Sequence, residues 1–449
     1  ADVQFDAVTG AAQLLDFLRD TPLKPSFGFV GNDWTARGNV RLQGDMTLPL
    51  TLNGEQALAL DLNFVPEQMS ISMPDYRLHV EDFVGQGAFS LPHQLEGNFD
   101  GNIFGQAASV AVTNSEKQIN FAVSGVFAPE DIYRLAGLSD LGALDGESQF
   151  DAGLSIDMLG GISALAVDTD LVGMAVNLPG ELGKANTASA PSRFDLQFLE
   201  NYQSLRWRFQ DTQGWVHLDD QVLRGSVGLG VAPAVIPADQ DQVSINGRLA
   251  QIDVGAWSQL TGGNDQFAMN WQIDNLRVDE LVVGDLVFDD LLLAGRRRVG
   301  EFIFSVQTDD LAGRIDLTDD TRLGIDLDLL RLPAPDYPVS TAESVLNNDD
   351  KLAAPDPLSV DLGRLLPAAW VAVEALRIGA EDYGNWQFEI KPHKDRVEFL
   401  ALNADAKGVH LRNAQFAWDL VDNTTTYKGR LELADLAQTL PMWDFAPTM

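Results

Sequence analysis

The sequence predicts a mainly β fold, built on a long antiparallel sheet with a few short helices. Apolar and polar residues alternate in many short segments, glycine supplies 39 of the 449 residues, and helical periodicity is confined to a few windows. Alternation places the apolar side chains of a strand on one face and its polar side chains on the other. We therefore expect a sheet with one dry face and one solvated face, as antiparallel sheets often have.

The period-two pattern is clearest in four segments of the chain. Their apolar members are Met46, Leu48, Leu50 and Leu52; Leu58, Leu60, Leu62 and Phe64; Val172, Met174, Val176 and Leu178; and Leu323, Ile325, Leu327 and Leu329. The intervening residues are mostly Thr, Asp, Asn, Gly or Ala, which suit a solvated or crowded face. The pattern predicts a β-strand in each segment.

Four windows favour short helices: 9–23, 129–138, 252–262 and 433–443. The second window begins with Pro129, Glu130 and Asp131, which are residues typical of a helix N-terminus. The last three windows each follow a predicted strand with a central glycine. Weak repetition of such units favours a sheet extended strand by strand over a compact sandwich.

Three polar or proline-rich segments predict connections between parts of the sheet: 183–193, 232–242 and 332–358. The last is too long for an ordinary loop inside a compact domain and is expected to be a surface excursion. We predict an N-terminal part with short helices (1–190), a middle part (191–332), a long proline-rich loop (333–358) and a C-terminal meander (359–449). These parts are expected to form one continuous elongated sheet.

The charge of the chain excludes some classes of partner. It contains 30 Lys and Arg against 66 Asp and Glu, which gives a net charge of −36. Nucleic acid would be repelled by this charge, and adsorption to an anionic membrane through a basic patch is disfavoured. There is no cysteine, so disulfides, thiolate zinc sites and thiol catalysis are excluded.

No apolar stretch approaches the roughly 18 residues of a membrane-spanning helix, and no signal peptide is visible. The chain opens with "ADV" in mid-pattern and stops at "MWDFAPTM". We expect a fragment of a longer protein, from which any membrane anchor has been left out.

Residues that could carry catalysis form no recognisable constellation. The five histidines are not at ligand spacing and have no obvious acidic partner nearby in sequence. Aspartates cluster at 168–170, 239–242, 326–328 and 347–351 without EF-hand spacing. P-loop, G-x-S-x-G and HExxH motifs are absent from the sequence. We predict no catalytic residues, no metal and no cofactor, and a protein that is not an enzyme. A glycosidase-type pair of carboxylates remains open, because it depends on separation in space.

Several sequence segments, in their order along the chain, resemble segments of YhdP-type proteins, which belong to the TamB/AsmA-like superfamily of bridge-like lipid-transfer proteins. "SALAVDTDLVGMAVNLPGELGKA" is similar to a segment of strand, turn, strand, "LP" and a lysine-containing loop, here with Lys184. "INGRLAQIDVGAWSQL" resembles the G-R-L…D…W unit, and "AAQLLDFLRDTPL" resembles a helix ahead of the middle strands. The segment from "DLDLLRLPAP" to "NWQFEIKP" resembles the late paired strands. Together these phrases cover most of residues 9–443.

The resemblance implies a long β-sheet curled into a taco-like groove with an apolar interior. It implies a periplasmic protein that is held in the inner membrane by an N-terminal helix, which this chain lacks, and that extends toward the outer membrane. The expected function is the movement of phospholipid between the two membranes, in support of outer-membrane lipid homeostasis. Envelope proteins are possible partners, and the family has no catalytic motif to carry over.

The alternating apolar residues are the candidates for the wall of such a groove. They are Leu48, Leu50, Leu60, Leu62, Val172, Met174, Val176, Ile325 and Leu327. Acyl chains covering this face would be stabilised by roughly 0.8 kcal/mol for each buried methylene. The alternative is a β-rich scaffold or adhesin-like interaction module, in which these residues fill closed cores and no lipid is carried.

Overall fold

A computed structural model describes the architecture of most of the chain. The described residues are 2–21, 30–47, 59–74, 77–91, 94–115, 118–136, 142–157, 163–199, 202–218, 223–236, 241–260, 270–298, 301–318, 322–334, 360–433 and 435–443. The predicted positions Leu48, Leu50, Leu52 and Leu58, and most of the proline-rich loop, lie outside these residues.

The predicted mainly β class is confirmed, since strands make up 70% and helices 10% of the structure. The chain divides into two compact units: Ala1–Leu178 with Leu182–Arg224, and Pro179–Glu181 with Gly225–Met449. The predicted segment boundaries at 190, 332 and 358, and the continuity of the sheet between segments, stay predictions.

The first unit is built on an antiparallel sheet. Its elements are β1 (Asp2–Gly10), α1 (Ala11–Asp20), β2 (Thr35–Thr47), β3 (Ala59–Met73), β4 (Leu78–Ser90), β5 (Gln94–Ile103), β6 (Gln106–Asn114), β7 (Gln118–Phe127), α2 (Pro129–Ala136), β8 (Leu144–Gly146), β9 (Ser148–Asp157), β10 (Ser163–Thr169), β11 (Met174–Val176), β12 (Ser192–Phe198), β13 (Gln203–Phe209) and β14 (Thr212–Leu218). Twelve of these strands pair in chain order, whereas β8 and β11 form a separate two-stranded sheet.

The second unit contains a mixed sheet. Its elements are β15 (Leu223–Leu229), β16 (Val243–Asp253), α3 (Val254–Leu260), β17 (Trp271–Val283), β18 (Leu286–Arg298), β19 (Glu301–Gln307), β20 (Leu311–Thr318), β21 (Arg322–Leu332), α4 (Val360–Leu365), β22 (Ala369–Val373), β23 (Leu376–Ile378), β24 (Glu381–Asp382), β25 (Asn385–Pro392), β26 (Arg396–Ala406), β27 (Val409–Asp419), β28 (Thr424–Leu433) and α5 (Leu436–Met442). Parallel pairs join β15 to β16, β16 to β17, and β21 to β22 and β23.

The parallel pairs refine the prediction of an antiparallel sheet. Strands β16 and β17 are separated by α3, and α4 precedes β22. Parallel neighbours need a crossover connection of a dozen or more residues, often a helix, because the chain must return to the same end of the sheet. The helices thus mark places where the strand direction repeats.

Local sequence explains several element ends. Helix α2 begins at Pro129, and the carboxylate of Asp131 accepts a hydrogen bond from the backbone N of Ala128 at 3.0 Å. The two-residue turn between β5 and β6 places Phe104 and Gly105 at positive φ, as a type I′ hairpin turn requires. The predicted strand at 172–178 shortens to β11, because Val172 lies in a turn beside Gly173, whose φ is +99°.

Candidate functional site

One apolar face runs across all twelve paired strands of the first unit. The directly opposed residues on this face form a row: Ala7, Leu42, Phe64, Gly87, Gly97, Val112, Phe121, Leu154, Leu165, Leu196, Leu205 and Val216. Every member is apolar or glycine. Adjacent positions along a strand, such as Asn63 beside Phe64, point to the other face. The sheet is therefore one-sided, as the alternation predicts.

Part of this face encloses a cavity of about 290 Å³. Its 24 lining residues are all Leu, Val, Ile, Met, Phe or Trp, and they come from α1, the segment 30–34, β2 to β7 and β9. Leu62 and Ile156 line it from strands that are far apart in the order of the sheet. Because one cavity touches so many strands, the sheet must bend around it within this unit.

Helix α1 forms one side of the cavity. Leu14, Leu15 and Leu18 line it, while Phe17 on the outer side of the helix is 53% exposed. Near the C-terminal end of the helix, Arg19 Nη2 donates hydrogen bonds to the carbonyl oxygens of Gly31 (2.6 Å) and Trp34 (2.7 Å). The helix is thus held by apolar contacts and by an arginine that satisfies two loop carbonyls.

Stacked phenylalanines form another part of the cavity wall. The ring centroids of Phe64 and Phe99 are 5.8 Å apart, and those of Phe83 and Phe99 are 4.6 Å apart, with interplanar angles of 21° and 23°. Such offset stacking adds roughly 0.5–1.5 kcal/mol per pair beyond the burial of area. These rings give the wall a fixed surface.

The second unit also has a continuous apolar face. One row of directly opposed residues crosses nine strands: Val227, Ile245, Ile273, Gly295, Phe304, Ile315, Ile325, Val371 and Phe388. A neighbouring row of directly opposed residues runs from Phe302 on β19 to Tyr427 on β28 and is apolar over eight strands. The residue opposite Phe302 on β18 is the charged Arg297. Phe302, Phe304 and Ile325 are only half-buried. This face therefore has apolar surface that the described part of the unit covers incompletely.

A protein-family model described as YhdP protein matches residues 2–449. The chain belongs to the YhdP family. This confirms the resemblance noted in the sequence. Searches of curated proteins and of solved structures found no match. Membership of the YhdP family indicates AsmA-like lipid transport at the level of the family, and the family is one of envelope proteins.

The structure places the described groove candidates of this YhdP-family chain on strands of both units and in one turn. Leu62 lines the cavity, and Leu60 lies on the same face of β3, opposite Met46. Met174 and Val176 are buried in the two-stranded sheet of β8 and β11, with Met174 packed against Phe127 and Leu171. Ile325 and Leu327 lie on β21 of the second unit. Val172 lies in a turn and is 45% exposed. Their role as a lipid-binding set stays a prediction.

The candidate set omitted several residues that form the cavity wall. Phe64, Phe99, Val112 and Leu154 line the cavity but were not among the candidates. Phe64 belongs to the alternating segment around Leu62, so the same pattern contained a signal for it. The cavity position of the other three depends on strand pairing across the sheet.

The lysine in the YhdP-like phrase has a structural role in the first unit. Lys184 is 8% exposed, and its Nζ donates hydrogen bonds to the carbonyl oxygens of Met174 (2.7 Å) and Ala185 (2.9 Å). Burial lowers the pKa of its ammonium, while the charge of Asp170 acts in the opposite direction. The side chain ties its loop to β11.

The expectation that no histidine has an acidic partner nearby in sequence is wrong. His79 lies 3.2 Å from Glu81, His393 lies 3.2 Å from Glu398, and His410 Nδ1 lies 2.5 Å from Asp405. Strand residues two apart share a face, and hairpins bring residues five apart together. The hydrogen bond from His410, followed by that from Arg412, lowers the pKa of Asp405. These partially exposed pairs lie outside the apolar cavity.

Within the described ranges, no group of three or more His, Cys, Asp or Glu side chains could hold a metal ion. No helix in the described part of this YhdP-family chain is long and apolar enough to cross a bilayer.

Proposed function

We propose that this YhdP-family chain carries phospholipid along its apolar sheet faces, through the periplasm and between the inner and outer membranes. In this way it supports the lipid homeostasis of the outer membrane. The observation that carries the proposal is the cavity of about 290 Å³ whose 24 lining residues are all apolar. Family-level lipid transport points in the same direction.

The cavity suits an acyl chain for a physical reason. A buried water needs several polar partners, and an apolar cavity offers it none. Its volume is close to the lower end of the range of about 300–1,000 Å³ for small-molecule sites. Each methylene that moves from water into it contributes roughly 0.8 kcal/mol. An acyl chain is therefore a better occupant than solvent or a polar metabolite.

The strong negative charge is compatible with this function. Charged residues on the strands, such as Asp61 and Glu96, alternate with the apolar wall residues Leu62 and Leu95 and point to the opposite face. The acyl chains would contact the apolar face, while the headgroup stays in water at its open side. No basic headgroup pocket is then required.

The wider setting of the protein is part of the same proposal. In the full-length protein, an N-terminal helix outside this chain anchors it in the inner membrane, and envelope proteins act as partners at the membranes. The chain itself catalyses no reaction. The family-level assignment to the envelope supports this location.

Site-specific photocrosslinking tests the proposal on a single strand. Leu62 lines the cavity, and the next residue, Asn63, is exposed on the opposite face of β3. Benzoylphenylalanine at position 62 should form phospholipid adducts in living cells, detected by mass spectrometry of the purified protein. The same group at position 63 should form few. The scaffold alternative predicts no adducts at 62, and equal adducts at both positions would also contradict a lipid-binding face.

A further inference from the structure

Four strand glycines have a phenylalanine ring in the space that a side chain would occupy. A Cβ atom at Gly87 would lie 2.7 Å from Cε1 of Phe64, and one at Gly97 would lie 2.6 Å from Cζ of Phe99. At Gly295 it would lie 2.8 Å from Cε1 of Phe304, and at Gly125 it would lie 3.2 Å from Cε1 of Phe150. The arrangement occurs in both units.

These glycines are required for space and not for backbone conformation. None of the four has a φ in the left-handed region. An alanine at these positions would therefore meet no left-handed backbone strain. At Gly87 the three nearest atoms all belong to the Phe64 ring, whereas the other three glycines have a second close neighbour: the backbone oxygen of Gln86 at Gly97, that of Ile303 at Gly295, and Cβ of Ala108 at Gly125. Gly153 on β9 gives a contrast, because a Cβ atom there would meet nothing within 4 Å.

The positions of these ring atoms show that the phenylalanine rings lie close to the backbone of the sheet. A Cβ atom stands directly on the surface of its strand, so a ring atom at that place must lie low against the backbone. Phe64 is directly opposite Gly87, and Phe304 is directly opposite Gly295, on the neighbouring strand. Each of these two rings extends sideways over the neighbouring strand, whereas Phe99 covers Gly97 of its own strand, β5.

We propose that the Phe–Gly pairs set the depth of the apolar groove and so determine which acyl chains fit. This inference rests on the proposed function. Phe64 and Phe99 line the cavity of the first unit, and Phe304 lies in the apolar row of the second. Glycine at the paired position lets a large apolar ring contribute contact area without filling the groove.

A single methyl group at position 87 should obstruct the groove. In Gly87→Ala the new Cβ collides with the end of the Phe64 ring, and side chains move between staggered χ1 wells. The Phe64 ring then turns away from the neighbouring strand. It enters the cavity that it lines in the wild type. The space for an acyl chain is then lost, although the strand itself tolerates alanine better than glycine.

Binding of cis-parinaric acid, a fluorescent acyl chain, measures this effect in the purified chain. Gly87→Ala should weaken binding about tenfold or more, equivalent to about 1.4 kcal/mol. Gly153→Ala on β9 should bind as the wild type does. Phe64→Leu combined with Gly87→Ala should restore binding, because leucine is too short to reach the new methyl group.

The outcomes separate the two proposals. If the wild type does not bind the probe, the proposed function fails. If the wild type and Gly87→Ala bind equally, the proposed function stands and the depth-setting role is wrong. Thermal unfolding is recorded for every variant. If Gly87→Ala unfolds while the double variant folds, the ring cannot turn into the cavity, and the inference is likewise overturned.

Discussion

At the scale of single residues, Lys184 shows how one polar side chain stabilises an apolar neighbourhood. In Lys184→Met the carbonyl oxygen of Met174 loses the ammonium as its donor at 2.7 Å. We expect the free energy of unfolding to fall by about 1–3 kcal/mol, the cost of a buried polar group left unsatisfied. Urea denaturation measures it. The control is Lys391→Met, which removes an exposed ion pair with Glu389 and should cost about 0–1 kcal/mol.

The same variant gives a test against pH. In the folded chain the pKa of Lys184 lies below its value of 10.5 in the unfolded chain. Between these two values the unfolded state binds more protons, so the contribution of Lys184 to the free energy of unfolding increases with pH. The stability difference between the wild type and Lys184→Met should grow as pH is raised toward 10.5. A difference that shrinks over this window would show that burial does not disfavour the charged form.

The sequence predicts which face of a strand a residue occupies better than it predicts which residues its side chain contacts. The alternation around Leu62 places that residue on the apolar face, because the geometry of a strand fixes which side chains share a side. Val172 fits the same pattern and yet lies exposed in a turn. The contact of Phe64 with Gly87 joins two strands, and the register between strands is not contained in either segment alone.

At the scale of elements, α1 offers two residues of similar size with opposite environments. Leu15 is 8% exposed and lines the cavity, whereas Phe17 is 53% exposed. Leu15→Ala should lower the free energy of unfolding by about 2–5 kcal/mol, since it enlarges an existing cavity. Phe17→Ala should change it by no more than about 0.5 kcal/mol. Equal losses in urea denaturation would mean that α1 is not packed through its inner face.

Element type could be predicted better than element direction. The windows at 9–23, 129–138, 252–262 and 433–443 contain α1, α2, α3 and α5, because helix-start residues and apolar spacing are local signals. Helix α4 has six residues and was missed. The parallel pairing of β16 with β17 was also missed, since period-two alternation is the same for either strand direction on a one-sided sheet.

At the scale of the whole molecule, the net charge of −36 opposes the compact state. Salt should relieve this repulsion, because the Debye length falls from about 30 Å at 0.01 M to about 8 Å at 0.15 M. We expect Tm to rise over this range, measured by calorimetry. Repeating the scan near the isoelectric pH of 4.2 should remove the rise. A fall in Tm at neutral pH would mean that local ion pairs outweigh the net repulsion.

The apolar row across the first unit has a kinetic consequence on the proposed function. A shift by one strand moves a bound acyl chain about 4.8 Å. The acyl chain then loses its contacts with one strand and gains contacts of similar strength with the next strand. Leu154, Leu165 and Leu196, which are directly opposed on successive strands, are an example. Over these three leucines we expect the free-energy profile to be nearly level. Travel is then a one-dimensional random walk, and its net direction is set by the concentration of lipid at the two ends.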